Sequence, residues 1–328
     1  MLKKYKTLNI AKVCYFLLHS FLLKAKLVFA MEKISFNKYT GAGNDFILFD
    51  RKENRNLMLT PGMIRGLCHR RFGIGADGIL VIGEDKNSSF LMEYYNADGS
   101  TGTLCGNGAR CAIKHAGESG YINGKGNFYC NGNEYFGEIF QNGYVEFALN
   151  DVTDLRTDFS IKQDELSINA HYAENGSPHL VIFCEDIRNE SGKMAFDDLD
   201  TVPVYELGRK IRYHKNFAPA GLNVNFIAIK ENKLYIRTYE RGVENETLAC
   251  GTGSTASALI ASLKCDLHSP VSVIVKSGAE LKVKFEYKPG RFEKISLTGP
   301  AEKVYNGEIF KNKIIEDLDG KSDLFDQV

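Results

Sequence analysis

Two short stretches of the sequence carry the same pattern of reactive and small residues. One begins Cys105-Gly106-Asn107-Gly108-Ala109-Arg110-Cys111, the other Cys250-Gly251-Thr252-Gly253-Ser254-Thr255-Ala256. Each is a cysteine, then Gly-x-Gly, then a small-residue and aliphatic run that suits a closely packed helix. Asn107 and Thr252 hold the same place, and both are good N-cap types, so the pattern predicts a helix N-terminus at each cysteine. Unpaired N–H groups and the helix dipole favour anions there. The position lowers a thiol's pKa, and the same N–H groups can cradle a carboxylate. A single such cysteine is more often a buried small hydrophobe; its repetition at two helix starts argues for chemistry. Two opposed thiols suit removal of a proton from one face of a carbon and delivery to the other. The α-carbon of an amino acid is a very weak acid, and preorganised N–H groups at two helix ends would stabilise the charge that develops on its carboxylate.

Composition sets the frame. With 328 residues the chain can bury a sizeable core and form two domains. Lys+Arg and Asp+Glu both number 41, so net charge gives no reason to expect a nucleic acid or an anionic membrane as partner. The 8 cysteines include no Cys-x-x-Cys pair and read as reduced thiols of a cytoplasmic enzyme. There is no zinc-like Cys/His spacing, no Gly-x-x-x-x-Gly-Lys phosphate loop and no Gly-x-Ser-x-Gly elbow, so neither a metal nor a cofactor is expected. Residues 1–30 combine lysines with an interrupted apolar run; they read as an extension outside the fold, with a membrane anchor as the lesser reading.

The elements that must position the thiols are mostly strands. Ile34–Asp50 reads as strand, glycine turn, strand; a strand rather than a helix follows Gly41-Ala42-Gly43, against a dinucleotide turn. Thr60–Phe72 predicts a short helix with Pro61 in its first turn. Ile79–Ile82 and Phe90–Tyr95 are strands, and Gly126–Leu149 alternates in hairpin fashion around Asn131-Gly132 and Asn142-Gly143. Residues 150–170 read as a polar connection, Leu180–Phe183 as a strand and Asp186–Leu207 as charged and helix-like. Strands follow at Leu222–Ile229, Leu234–Tyr239, Val271–Val275, Leu281–Tyr287 and Ile295–Leu297, and a polar tail occupies 315–328. Many short strands around one small-residue helix in each half exclude a parallel doubly wound sheet.

Several motifs in order across roughly residues 31–310 resemble the diaminopimelate epimerase family. They are Gly41-Ala42-Gly43-Asn44-Asp45-Phe46, Gly73-Ile74-Gly75-Ala76-Asp77, Asn96-Ala97-Asp98-Gly99-Ser100, Cys105 to Cys111, Ser177-Pro178-His179, Asn223-Val224-Asn225-Phe226, Glu240-Arg241-Gly242, and Glu246-Thr247 with Ala249-Cys250-Gly251-Thr252-Gly253. The resemblance implies an α+β fold of two pseudo-symmetric domains, each a mostly antiparallel sheet wrapped around a central helix. One domain would take 31–149 plus about 301–314, its final strand returning, and the other 150–300. It implies cofactor-independent, two-base conversion of L,L- to meso-diaminopimelate, a step toward lysine and peptidoglycan, by a cytoplasmic homodimer. Cys105 and Cys250 would be the bases. Main-chain groups at Gly106, Asn107, Gly251 and Thr252 would hold the reacting carboxylate, with Asn44 near the reacting end. Asn96, Asn223 and Arg241 would recognise the distal head, while Glu240 and His179 would lie beside the thiols and help position protons.

Three departures from the family pattern bear on affinity. Gly78 stands where many relatives carry a substrate-contacting Gln, Ser177 replaces an Asn before Pro-His, and the loop Gly242–Glu246 is one residue longer. Alternatives stay open. A two-cysteine racemase of the proline or hydroxyproline kind would fit the thiols but has no need of Arg241 and several Asn for a second head. An isomerase of the same fold with a carboxylate base is disfavoured by the two cysteines. A non-catalytic amino-acid-binding or thiol-redox module lacks a closely spaced exchange pair. The two half-sites also imply closure around the substrate.

Overall fold

The computed structural model describes residues 33–102 and 104–310. The readings for 1–30, for 311–314 and for the tail at 315–328 lie outside the described residues. Within them are 18 strands in one hydrogen-bonded system, together with helices α1 (Pro61–Cys68), α2 (Gly106–Glu118), α3 (Val204–Arg212) and α4 (Gly251–Cys265).

One topology is used twice. Lys33–Gly41 pairs antiparallel with Asn44–Asp50, which runs parallel to Gly78–Gly83, itself antiparallel to Phe90–Asn96. A parallel neighbour requires a crossover, and α2 supplies it between Phe90–Asn96 and Lys125–Cys130. Asn133–Ile139 and Val145–Ala148 complete this half. Leu166–Glu174, Pro178–Phe183, Asn223–Lys230 and Lys233–Glu240 repeat the first four directions. Then α4 crosses to Val271–Ile274, and Glu280–Lys288 and Arg291–Gly299 follow. The final strands of the two halves pair antiparallel, with Phe147 opposite Leu297. Glu302–Phe310 returns to pair with Lys33–Gly41.

The central helices differ in sequence from the outer ones for a reason. Every residue of α4 from Gly253 to Ala261 is buried, the property of a helix surrounded by sheet. In α2, Ile113 packs so closely on Gly137 that any side chain there would collide with it. Ile113 and Ile260 are fully buried, each stabilising the fold by roughly 1.5–3 kcal/mol. By contrast α3 buries one stripe, Val204, Leu207 and Ile211, at helical spacing.

Three expectations are corrected. Helix α1 starts as read, with the Thr60 hydroxyl accepting from the Met63 N–H at 3.3 Å, but it ends at Cys68 rather than Phe72. The His69 ring accepts from the N–H groups of Arg71 and Phe72, which draws the chain out of the helix. Residues 150–170 are no mere connection: Asp154–Gln163 and Leu166–Glu174 pair as strands. Ile161, Ile168 and Ala170 face inward there, and the polar residues lie outward on an edge. In 186–207 an α-helix forms only from Val204; before it comes a short 3-10 helix at Leu199–Thr201, where the Asp198 carboxylate accepts from the Asp200 N–H at 3.0 Å.

Candidate active site

Both central helices begin immediately after a cysteine. Cys105 (φ −97°, ψ 119°) and Cys250 (φ −122°, ψ 111°) are themselves the N-cap residues, and neither side chain makes a capping bond. The expected caps, Asn107 and Thr252, instead occupy the second helical position. The Asn107 amide is engaged elsewhere: its oxygen accepts from Arg110 at 2.7 Å, and its nitrogen donates to the Asn44 oxygen at 2.6 Å and to the Ala249 carbonyl at 3.2 Å. The last bond ties the start of α2 to the residue before Cys250.

The two helix starts abut. A Cβ placed on Gly106 would lie 3.7 Å from the Gly251 Cα and 3.3 Å from the Phe147 ring, and one on Gly251 would lie 3.0 Å from Leu297. Phe147 and Leu297 are themselves partners across the junction, so the pseudo-twofold relation runs between the glycines. The thiols flank this junction, Cys105 partly exposed and Cys250 buried.

Hydrogen bonds hold the remaining candidate residues in place. Glu240 accepts from the Thr247 hydroxyl at 3.0 Å. The Asn223 amide nitrogen donates to the Ser177 hydroxyl (2.7 Å) and the Pro178 carbonyl (3.1 Å), and its oxygen accepts from the Arg241 N–H (2.9 Å). Among the described residues the Arg241 guanidinium has only a 3.5 Å contact with the Gly221 carbonyl, which leaves its fork open to a carboxylate. Asn44 donates to Asp77 at 3.0 Å. Asn96, opposite Gly78 in the sheet, donates to the Ser100 hydroxyl at 3.0 Å. His179 is fully buried; its Nδ1 meets the Asn225 amide at 3.2 Å and its Nε2 has no partner among the described residues. The Gly242–Glu246 turn is pinned by Arg212–Glu244 (3.1 Å) and Arg237–Glu246 (2.7 Å).

Electrostatics corrects one expectation. Burial pushes the Cys105 thiol up to about 11, with the Gly108 and Asn107 N–H groups and the Arg110 cation pulling it partly back and Glu240 opposing ionisation. Burial likewise pushes Cys250 up, Glu240 adds to the rise, and the Thr252 hydroxyl and Gly253 N–H oppose it. The helix ends therefore moderate rather than overcome desolvation in the free protein. Glu240 is raised to about 7, by burial first. His179 is held down to about 3 by burial and then by Arg241, so its ring is neutral at neutral pH.

Arg110 was not singled out from the sequence. It is fully buried, its three bonds run to Asn107, Gly106 and Pro300, and it has no carboxylate partner among the described residues. The signal was present: a lone charge in a small-residue run, where the second copy has Thr255. Asn225 and Thr238, bonded to each other at 3.0 Å, form the polar floor behind His179. Among the described residues no group of three His, Cys, Asp or Glu is placed to hold a metal ion. No helix among them is long and apolar enough to cross a membrane.

Comparison with solved structures defines the class of fold. A phenazine biosynthesis protein of the PhzF family from Bacillus anthracis superposes with a TM-score of 0.62 at 13% identity, covering 85% of this chain and 99% of that one. A probable proline racemase from Agrobacterium radiobacter K84 gives 0.61 at 12% identity, covering 84% and 92%. At such identity the likeness concerns architecture alone. The family is shown by sequence: the profile described as "Diaminopimelate epimerase" matches residues 36–143 and 171–304. A diaminopimelate epimerase of Hydrogenobaculum sp. is 38% identical, covering 82% of this chain and 96% of that protein. That of Flavobacterium psychrophilum is 36% identical, covering 83% and 98%. The chain belongs to the diaminopimelate epimerase family.

Proposed function

We propose that Cys105 and Cys250 are the two bases of a diaminopimelate epimerase that interconverts the L,L and meso forms on the path to lysine and peptidoglycan. The observation that carries this reading is the abutment of two cysteine-capped helix starts, with Gly106 and Gly251 in near contact. One cysteine, as thiolate, removes the α-proton and becomes a thiol. The other, as thiol, delivers its proton to the opposite face and becomes the thiolate, so each turnover exchanges their protonation states. N–H groups at Gly106, Asn107, Gly251 and Thr252 stabilise the negative charge on the reacting carboxylate. The open guanidinium of Arg241 takes the distal carboxylate, with Asn96 and Asn223 around the distal head and Ser177 supporting Asn223. Asn44 stands at the reacting end, and Glu240 and His179 bias proton positions.

In this reading the halves are two domains, 31–149 with about 301–314 and 150–300, that close on the substrate. Closure excludes water and substitutes the substrate's charges for it. A homodimer in the cytoplasm fits the same reading, with no cofactor required.

The test is proton exchange in D2O under reducing conditions. The protein should place deuterium at the α-carbon of diaminopimelate, and Cys105→Ser and Cys250→Ser should each lower epimerisation by about 10²–10⁴-fold. Exchange with L-proline alone would transfer the protein to the racemases. A cysteine variant near wild-type rate would remove that residue from the pair.

A further inference from the structure

The structure places one more polar group at the Cys105 side of the cleft. The Tyr94 ring, on the strand Phe90–Asn96, meets Phe46 edge-on at 6.3 Å. Two glycines make room for it. A Cβ on Gly78 would lie 2.8 Å from the ring and 3.4 Å from the hydroxyl, and a Cβ on Gly102 would collide with the ring. The hydroxyls of Tyr39, Tyr95, Tyr121, Tyr172 and Tyr239 each donate to a carboxylate. The Tyr94 hydroxyl makes no hydrogen bond among the described residues, yet Cys105, Glu240 and Asp77 are the ionisable groups whose charge it feels most.

The repeated topology says what belongs there. Phe46 lies beside Gly78 in one parallel pair and His179 beside Asn223 in the other; Leu80 faces Tyr94 as Asn225 faces Thr238. Gly78 is thus the counterpart of Asn223. Where the second half presents an amide, the first has no side chain of its own, and the Tyr94 hydroxyl stands over the gap. The carboxyl groups whose charge it feels most are Glu240 and Asp77, which favour a cation over an anion beside it. A phenol oxygen accepts a hydrogen bond from such a group.

We propose that Tyr94 is a substrate-contacting residue whose hydroxyl accepts a hydrogen bond from an α-ammonium group of the bound diamino diacid, in the place left by Gly78. This rests on the epimerase reading above. The ammonium contact fixes the diamino diacid on the Cys105 side, and it distinguishes that substrate from a diacid lacking the amines.

The test is the full-length Tyr94→Phe variant, which keeps the ring and its packing between the two glycines. Thermal unfolding should match wild type, and the KM for diaminopimelate should rise about tenfold with a smaller change in kcat. Pimelate, which has both carboxylates and neither ammonium, should inhibit wild type and variant equally. An unchanged KM, or pimelate weakened as much as diaminopimelate, would overturn the assignment while leaving the epimerase reading intact. A wild type inert toward diaminopimelate would overturn both.

Discussion

Beneath Cys105 the sheet presents Phe46 and Leu80, which would lie 3.5 Å and 3.2 Å from a Cβ placed on Gly108; beneath Cys250 the equivalent positions are His179 and Asn225, and Asn225 crowds Gly253. Along the helices, Arg110 on one side answers to Thr255 on the other. Both reach back to the carbonyl four residues earlier, Arg110 to Gly106 at 3.2 Å and the Thr255 hydroxyl to Gly251 at 3.0 Å. The backbone is repeated and the chemistry is not. Repetition of the backbone gives the two thiols matching positions at abutting helix ends, as inversion at one carbon demands. Divergence of the side chains gives them unequal charge environments: a buried cation near Cys105, and the Glu240 carboxylate as the leading charge opposing ionisation of Cys250. Cys105 is therefore the easier of the two to ionise, although burial holds both as thiols near neutral pH in the free protein.

That inequality is open to direct attack through Arg110. Arg110→Met removes the cation and leaves the Asn107 oxygen without its donor. Alkylation of Cys105 at fixed pH should slow about threefold, the effect of about a half-unit rise in thiol pKa, while Cys250 changes by less than about twofold. Mass-spectrometric mapping of iodoacetamide adducts over time reads both rates in one sample. Thr255→Val, at the equivalent place, should leave both rates near wild type; equal slowing of the two thiols in Arg110→Met would erase the proposed asymmetry.

Glu240 tests the opposite sign. Its carboxylate opposes ionisation of both cysteines, second only to burial at each. Glu240→Gln should move both alkylation profiles to lower pH, by about threefold in rate at fixed pH and more for Cys250 than for Cys105. A shift to higher pH would mean that the carboxylate serves chiefly to accept the thiol proton in the free protein.

A separate effect concerns stability on the Cys250 side. The folded protein holds His179 neutral down to about 3, against an ordinary 6.5. The unfolded chain takes up this proton below 6.5 and the folded one does not, so stability is lost as pH falls from 6.5 toward 3. Denaturant unfolding of His179→Gln should show a shallower loss across that window, whereas the Cys105 half, with Phe46 in the equivalent place, contributes no such term. Parallel acid profiles for wild type and variant would contradict a neutral buried ring.

What was legible in the sequence was local. Cysteine followed by Gly-x-Gly and a small-residue run announced both central helices, because only small residues allow a sheet to close around a helix on all sides. The turns at Asn131-Gly132 and Asn142-Gly143 were equally plain, since the left-handed backbone at Asn131, Gly132 and Gly143 favours those residue types. The order of the motifs carried the family and its fold. Where the reading slipped, the deciding partner lay elsewhere in the chain or the alternation was masked. Asn107 looked like a cap, but Asn44, 63 positions away, and Ala249, 142 positions away, take its amide. The inward residues of 154–174 were hidden among polar neighbours that an edge strand can afford.

By itself, then, the sequence determined that two equivalent thiols would stand at two helix starts, because residue type and spacing set local backbone and helix packing. Only the tertiary structure decided that those starts abut, that burial outweighs the helix ends in setting the thiol pKa values, that Arg110 is a cation without a counter-charge, and that Tyr94 fills the space over Gly78. Desolvation and Coulomb interaction depend on distance through space and on what excludes water, and neither is written in the separation of residues along the chain.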